Sequence, residues 1–166
     1  MFPPDYIQFV RERFRAWPTD PARTFIHAVI GLRTEIDEYE TAESAENALE
    51  ELGDALFYCV AMFPFANIPD NWDPTAFDID SATDHEAEQG VVDLTDMAKK
   101  WLAYDRPPHV EDIRKALLSF ILFIGQRHAE HLTLIIDHNR AKLLKRFPTG
   151  FTTADAIARA DKEPGQ

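Results

Sequence analysis

The sequence predicts an all-α protein, an antiparallel helical bundle of about five to six helices forming one domain over residues 1–166. Three observations carry that prediction. Apolar residues recur at helical spacing along most of the chain. No stretch alternates polar and apolar side chains as a half-buried strand does, and Pro-rich or Asp-rich breaks divide the periodic segments into pieces of helix length. A chain of 166 residues with 45% hydrophobic content is also long enough to bury a sizeable core.

The elements follow in order. Asp5 is placed to cap a first helix running to about Ala16, with Phe9, Val10 and Phe14 inward, and Trp17-Pro18-Thr19-Asp20-Pro21 breaks it. A second helix from about Ala22 to Thr41 presents Phe25, Ile26, Val29, Ile30, Leu32, Ile36 and Tyr39 as a broad apolar face. Ser44 opens a third helix, which ends near Phe63-Pro64. Between Pro64 and Gly90 the composition turns to Pro, Asn and Asp with no Lys or Arg, and this reads as a long acidic insertion. Helical pattern resumes at about Val91 to Tyr104 and stops at Arg106-Pro107-Pro108. It returns from Val110 to about Gln126 as an almost wholly apolar segment, expected to be central or at an interface. A further helix spans about Ala129 to Arg146, and after Phe147-Pro148-Thr149-Gly150 either Thr152 or Thr153 can cap a short last one.

Charge and composition exclude several functions. A net charge of −12 with no basic stripe argues against binding a nucleic-acid backbone. No apolar run is long enough to span a bilayer, and no basic leader precedes one, so a soluble cytoplasmic protein is expected. Cys59, the only cysteine, lies on an apolar helical face and reads as an inert core thiol. The histidines form no HExxH or other familiar zinc spacing.

The chemistry is concentrated in Glu35-Ile-Asp-Glu38 and Glu50-Glu51-Leu-Gly-Asp54. Residues three apart lie on one helix face, so Glu35 with Glu38, and Glu51 with Asp54, each make a two-carboxylate edge. Two such edges facing each other form a cage of oxygen ligands, suited to Mg²⁺ or Mn²⁺ rather than zinc. A single ExxE pair is ordinarily a solvated face. Here Leu49, Leu52, Ala55, Leu56 and Cys59 set Glu51 and Asp54 beside the apolar stripe, whereas Glu46 and Glu50 are expected to point to water. Acids in such a position need a cationic partner. Asn139, Lys142 and Arg146 recur at i, i+3 and i+7, a stripe that can face the cage across a cleft. Lys142 and Arg146 can instead only complement the macrodipole of their helix. Trp17 can stack on a base or simply pack against the helix start.

Gly31-Leu-Arg-Thr-Glu35-Ile-Asp-Glu38, followed by Glu50-Glu51-Leu-Gly-Asp54-Ala-Leu-Phe-Tyr58 and by Asn139-Arg-Ala-Lys142-Leu-Leu-Lys-Arg146-Phe-Pro-Thr-Gly-Phe151, resembles the MazG-like members of the all-α nucleoside triphosphate pyrophosphatase superfamily. The resemblance implies Mg²⁺-dependent cleavage of a (d)NTP to the monophosphate and pyrophosphate, with Glu35, Glu38, Glu51 and Asp54 as metal ligands. It also implies that Asn139, Lys142 and Arg146 face the nucleotide. Glu38, with Glu35, is the expected group to orient the attacking water. A homodimer or homotetramer is implied as well, and the apolar second half agrees with it. Two departures stand out: Thr34 occupies the place of the family's first Glu, and the Pro64–Gly90 connection is longer than usual.

Alternatives are a phosphoribosyl-ATP pyrophosphatase-type relative and a catalytically reduced member acting as an oligomeric interaction protein. A di-iron carboxylate bundle is disfavoured because no Glu has His three residues later. Finally, Glu51 and Asp54 can be overlaid on Ala116 and Ser119, and Glu35 and Glu38 on Asp93 and Asp96, a hint of a degenerate internal repeat.

Overall fold

The computed structural model describes residues 4–69, 83–129 and 131–152, and it is all-helical over them. The helices are α1 (Pro4–Arg13), α2 (Pro21–Glu40), α3 (Ala45–Ala61), α4 (Asp84–Tyr104), α5 (Val110–Arg127) and α6 (Leu132–Arg146), with a 3₁₀ turn at Phe63–Ala66 after α3.

Local chemistry sets the boundaries. The Asp20 side chain accepts from the Arg23 amide and Pro21 takes the first position of α2, where its missing N–H costs nothing. Ser44 likewise caps α3 through the Asn47 amide. α1 is shorter than its periodicity predicts, ending at Arg13, and Asp5 lies within its first turn rather than capping it.

The larger correction concerns α4. It begins at Asp84, not near Val91, because Thr83 and Glu86 form a reciprocal capping box and the acids of the first turn favour the positive end of the helix dipole. The predicted 64–90 connection is therefore trimmed at both ends, by the 3₁₀ turn and by α4. Its middle, 70–82, and the short last helix expected beyond Thr152 lie outside the described residues.

Two helix pairs organise the bundle: α2 against α3, and α4 against α5. α2 also packs on α4, α6 lies along α3, and α1 closes over α3 and α6. One buried cluster runs through all of them, with Tyr6, Phe25, Leu32, Leu56, Leu94, Leu117 and Ile124 fully enclosed. α5 packs chiefly against α4, with smaller contacts to the 3₁₀ turn and α3, and buries Ile113, Leu117, Phe120, Ile121 and Ile124 within the chain. Cys59 is buried too, and burial pushes its thiol well up, so it stays protonated. Among the described residues no helix is long and apolar enough to cross a membrane.

The positions of the suspected repeat do meet. Asp93, Asp96, Ala116 and Ser119 all line one groove of about 460 Å³ between α4 and α5. Asp93 accepts from Gln89 there, and Asp96 pairs with Lys100.

Candidate functional site

The short link between α2 and α3 turns their inner faces toward each other. As a result Glu35, Glu38 and Glu51 each place a carboxylate oxygen within 4.8 Å of the others. The three grade from inside to outside: Glu51 is 7% exposed, Glu35 is half-buried and Glu38 faces solvent. Asn47, one turn before Glu51, donates to Glu51 Oε1 at 2.7 Å and fixes the innermost carboxylate.

Crowding sets the electrostatics. Burial, then the negative charges of Asp54, Glu38 and Glu51, push the Glu35 carboxyl up to about 8, and Lys142 offsets only part of that. Burial and Asp54 raise Glu51 in the same direction. An oxygen-only donor set carrying more negative charge than its surroundings balance could hold a hard divalent cation.

Asp54 is placed differently from the expected four-acid cage. Its Oδ1 accepts from Asn139 Nδ2 at 2.7 Å and its Oδ2 from Lys142 Nζ at 2.6 Å. The same ammonium donates to Glu50 Oε1 at 2.6 Å. Burial alone would lower the Lys142 pKa, but Asp54 and Glu50 overcome it and hold the ammonium firmly charged. Two expectations are corrected here. Glu50 does not point to water but grips Lys142, and no cleft separates Lys142 from the acids. Gly53 helps: a Cβ there would lie 3.0 Å from the Asn139 Cβ and 3.2 Å from the Ile135 carbonyl, so glycine lets α6 lie this close to α3 without crowding.

Asn139 is itself buried, 3% exposed, and its Oδ1 accepts from the enclosed Tyr6 hydroxyl at 2.9 Å. With both ends of its amide engaged, it positions Asp54 rather than presenting a free group. Tyr6 and Asn47 are contributions that the sequence reading missed.

Next to the acids lies a cavity of about 250 Å³ whose wall includes Glu35, Asp54 and Arg146. The rest is largely aromatic, from Phe14, His27, Phe57, Tyr58, Phe147 and Phe151, with Arg13 and Arg15 at its edge. His27 stacks on Phe14 with centroids 4.9 Å apart, and burial lowers its pKa, so the ring is neutral at pH 7. Burial and the acids raise the Tyr58 phenol to about 12. Tyr58 fits only because residue 31 is glycine; a Cβ there would overlap its ring. Arg146 thus meets the acids' neighbourhood as its spacing predicts, although it also lies over Phe147.

Trp17 does not line this cavity. It packs edge-on behind His27, 5.5 Å between centroids, with Arg15 and Arg23 over its ring faces. Thr34, the departure from the family motif, turns back on its own helix and donates to the Ile30 and Gly31 carbonyls, away from the acids.

No family model, characterised protein or solved structure matches the chain.

Proposed function

We propose that the protein is a Mg²⁺-dependent nucleoside triphosphate pyrophosphohydrolase, MazG-like in type, releasing (d)NMP and pyrophosphate. One observation carries the reading: Glu35, Glu38 and Glu51 converge within 4.8 Å, beside an aromatic cavity that also includes Arg146.

The donor set fits the ion. It consists of oxygens alone, from two helices that hold them in place, and the raised pKa of Glu35 marks negative charge that a dication would relieve. When bound, Mg²⁺, or Mn²⁺ in its place, would polarise phosphoryl oxygens and acidify a water. The protein's own groups supply the rest. Glu38, which faces solvent, orients the attacking water in this reading, with Glu35 beside it. Lys142 and Arg146 neutralise charge gathering on the pyrophosphate leaving group. Phe14, Tyr58 and Phe147, in the wall of the neighbouring cavity, offer a base aromatic contacts. No protein nucleophile is required, and the enclosed Cys59 offers none.

A panel of common and damaged (d)NTPs together with phosphoribosyl-ATP, incubated with Mg²⁺ and followed by product identification, tests this. Pyrophosphate from at least one compound is expected, lost in Glu38→Ala and Asp54→Ala. Folded protein with no turnover across the panel would favour a non-catalytic interaction protein, and activity retained in both variants would refute the site. The reading includes a homodimer or homotetramer, for which exposed Leu102 and Tyr104 on α4 offer apolar contacts. Sedimentation as a monomer would refute that part.

A further inference from the structure

Lys142 is engaged by the acids before any substrate is present. Its ammonium lies 2.6 Å from both Asp54 Oδ2 and Glu50 Oε1, and its side chain is only 9% exposed. Asp54, one turn after Glu51, is the acid held by this contact, while the other three converge on one another. The opposite oxygen of Asp54 is pinned by Asn139 and, through it, by Tyr6. An ammonium and a dication cannot share one carboxylate oxygen at contact distance without strong repulsion.

Resting on the metal-dependent reading above, we propose that Lys142 occupies the place of a cation on Asp54 in the ion-free protein. Glu50 is then a positioning residue that retains Lys142 beside the site when Asp54 turns to the ion. Glu50 precedes Asp54 by one helical turn on the same face of α3, and both already touch Nζ. A small swing of the lysine chain therefore moves the ammonium from a bridge onto Glu50 alone. From there it is still within reach of a polyphosphate drawn to the three-acid cluster. Asp54 gains a partner and Lys142 does not lose its own, which keeps two buried charges satisfied throughout.

The test measures Mn²⁺ binding without nucleotide, by calorimetry or electron paramagnetic resonance, in wild type, Lys142→Met, Glu50→Gln and the double variant. Lys142→Met is expected to tighten Mn²⁺ by about tenfold, since the ammonium no longer competes for Asp54. Glu50→Gln is expected to weaken Mn²⁺ by about threefold, and this effect is expected to disappear in the Lys142→Met background, the signature of coupling rather than of lost charge alone. Amine acylation read by mass spectrometry supplies a second measure that keeps Lys142 in place. Mn²⁺ should raise labelling of Lys142 several-fold in Glu50→Gln and less in wild type, with exposed Lys99 and Lys100 unchanged. If wild type binds Mn²⁺ and Lys142→Met binds it no better, or if Mn²⁺ leaves Lys142 labelling unaltered in Glu50→Gln, the placeholder role is overturned while the metal centre stands. If no form binds Mn²⁺, the metal centre itself is refuted, and the role of Lys142 with it.

Discussion

Replacing Glu35 by Gln should make the ion-free protein more stable while removing its ability to use the ion. The carboxyl rises from 4.5 to about 8 on folding. Between those values the unfolded chain has released the proton that the folded chain still holds, so rising pH favours unfolding across that window. Below it the two states are protonated alike. At about 1.36 kcal/mol per pH unit, the full window would be worth up to about 5 kcal/mol, and partial exposure of the carboxyl screens this to about 2–3 kcal/mol. Gln keeps the shape and cannot ionise. The variant should therefore match wild type near pH 4.5, gain steadily above it, and at pH 8.5 melt about 5–10 °C higher, at roughly 2–4 °C per kcal/mol for a chain of this size. Thermal melts in chelator at several pH values read this directly. Adding Mg²⁺ should reverse the order, raising the wild-type melting temperature and leaving the variant unmoved. A variant that melts at or below wild type at pH 8.5 in chelator would refute the account of crowded acids.

Three further outcomes follow from the same geometry. Ion binding must displace the Glu35 proton, so Mn²⁺ affinity should climb with pH and level off above about 8, with close to one proton released per ion below that in a weakly buffered titration. Gly31→Ala should push Tyr58 out of its position, costing about 1–3 kcal/mol in a denaturant melt and weakening nucleotide binding more than ion binding. Tyr6→Phe removes the donor to a buried Asn139 oxygen, for a loss of about 1–3 kcal/mol, and activity should fall although residue 6 touches neither ion nor nucleotide.

Helical periodicity, the Ser44 cap and the Pro breaks made most of the fold legible, since each acts within a few residues of where it sits in sequence. α4 was read too short because its first turns are acidic and weakly apolar, so the signal lay in the Thr83 and Glu86 pair rather than in hydrophobic spacing. The convergence of Glu35, Glu38 and Glu51 was legible for a similar reason: a short loop joins their helices and leaves little freedom in how they meet. The grip of Lys142 on Glu50 and Asp54 was not. It depends on how closely α6 approaches α3, which Gly53 and Asn139 decide together from distant parts of the chain. Asn47, at i,i+4 from Glu51, could have been noticed from spacing, whereas nothing local marks Tyr6.

The α6 contacts arrive late in the life of the polypeptide. Asn139 and Lys142 lie 85 and 88 positions beyond Asp54. At usual rates of protein synthesis that separation is a delay of roughly 4–17 s. During it the α2–α3 hairpin leaves the ribosome with its carboxylates unanswered by any basic side chain of α6. A nascent chain halted in that interval should take up a divalent ion more readily than the finished protein, in which Lys142 already holds Asp54.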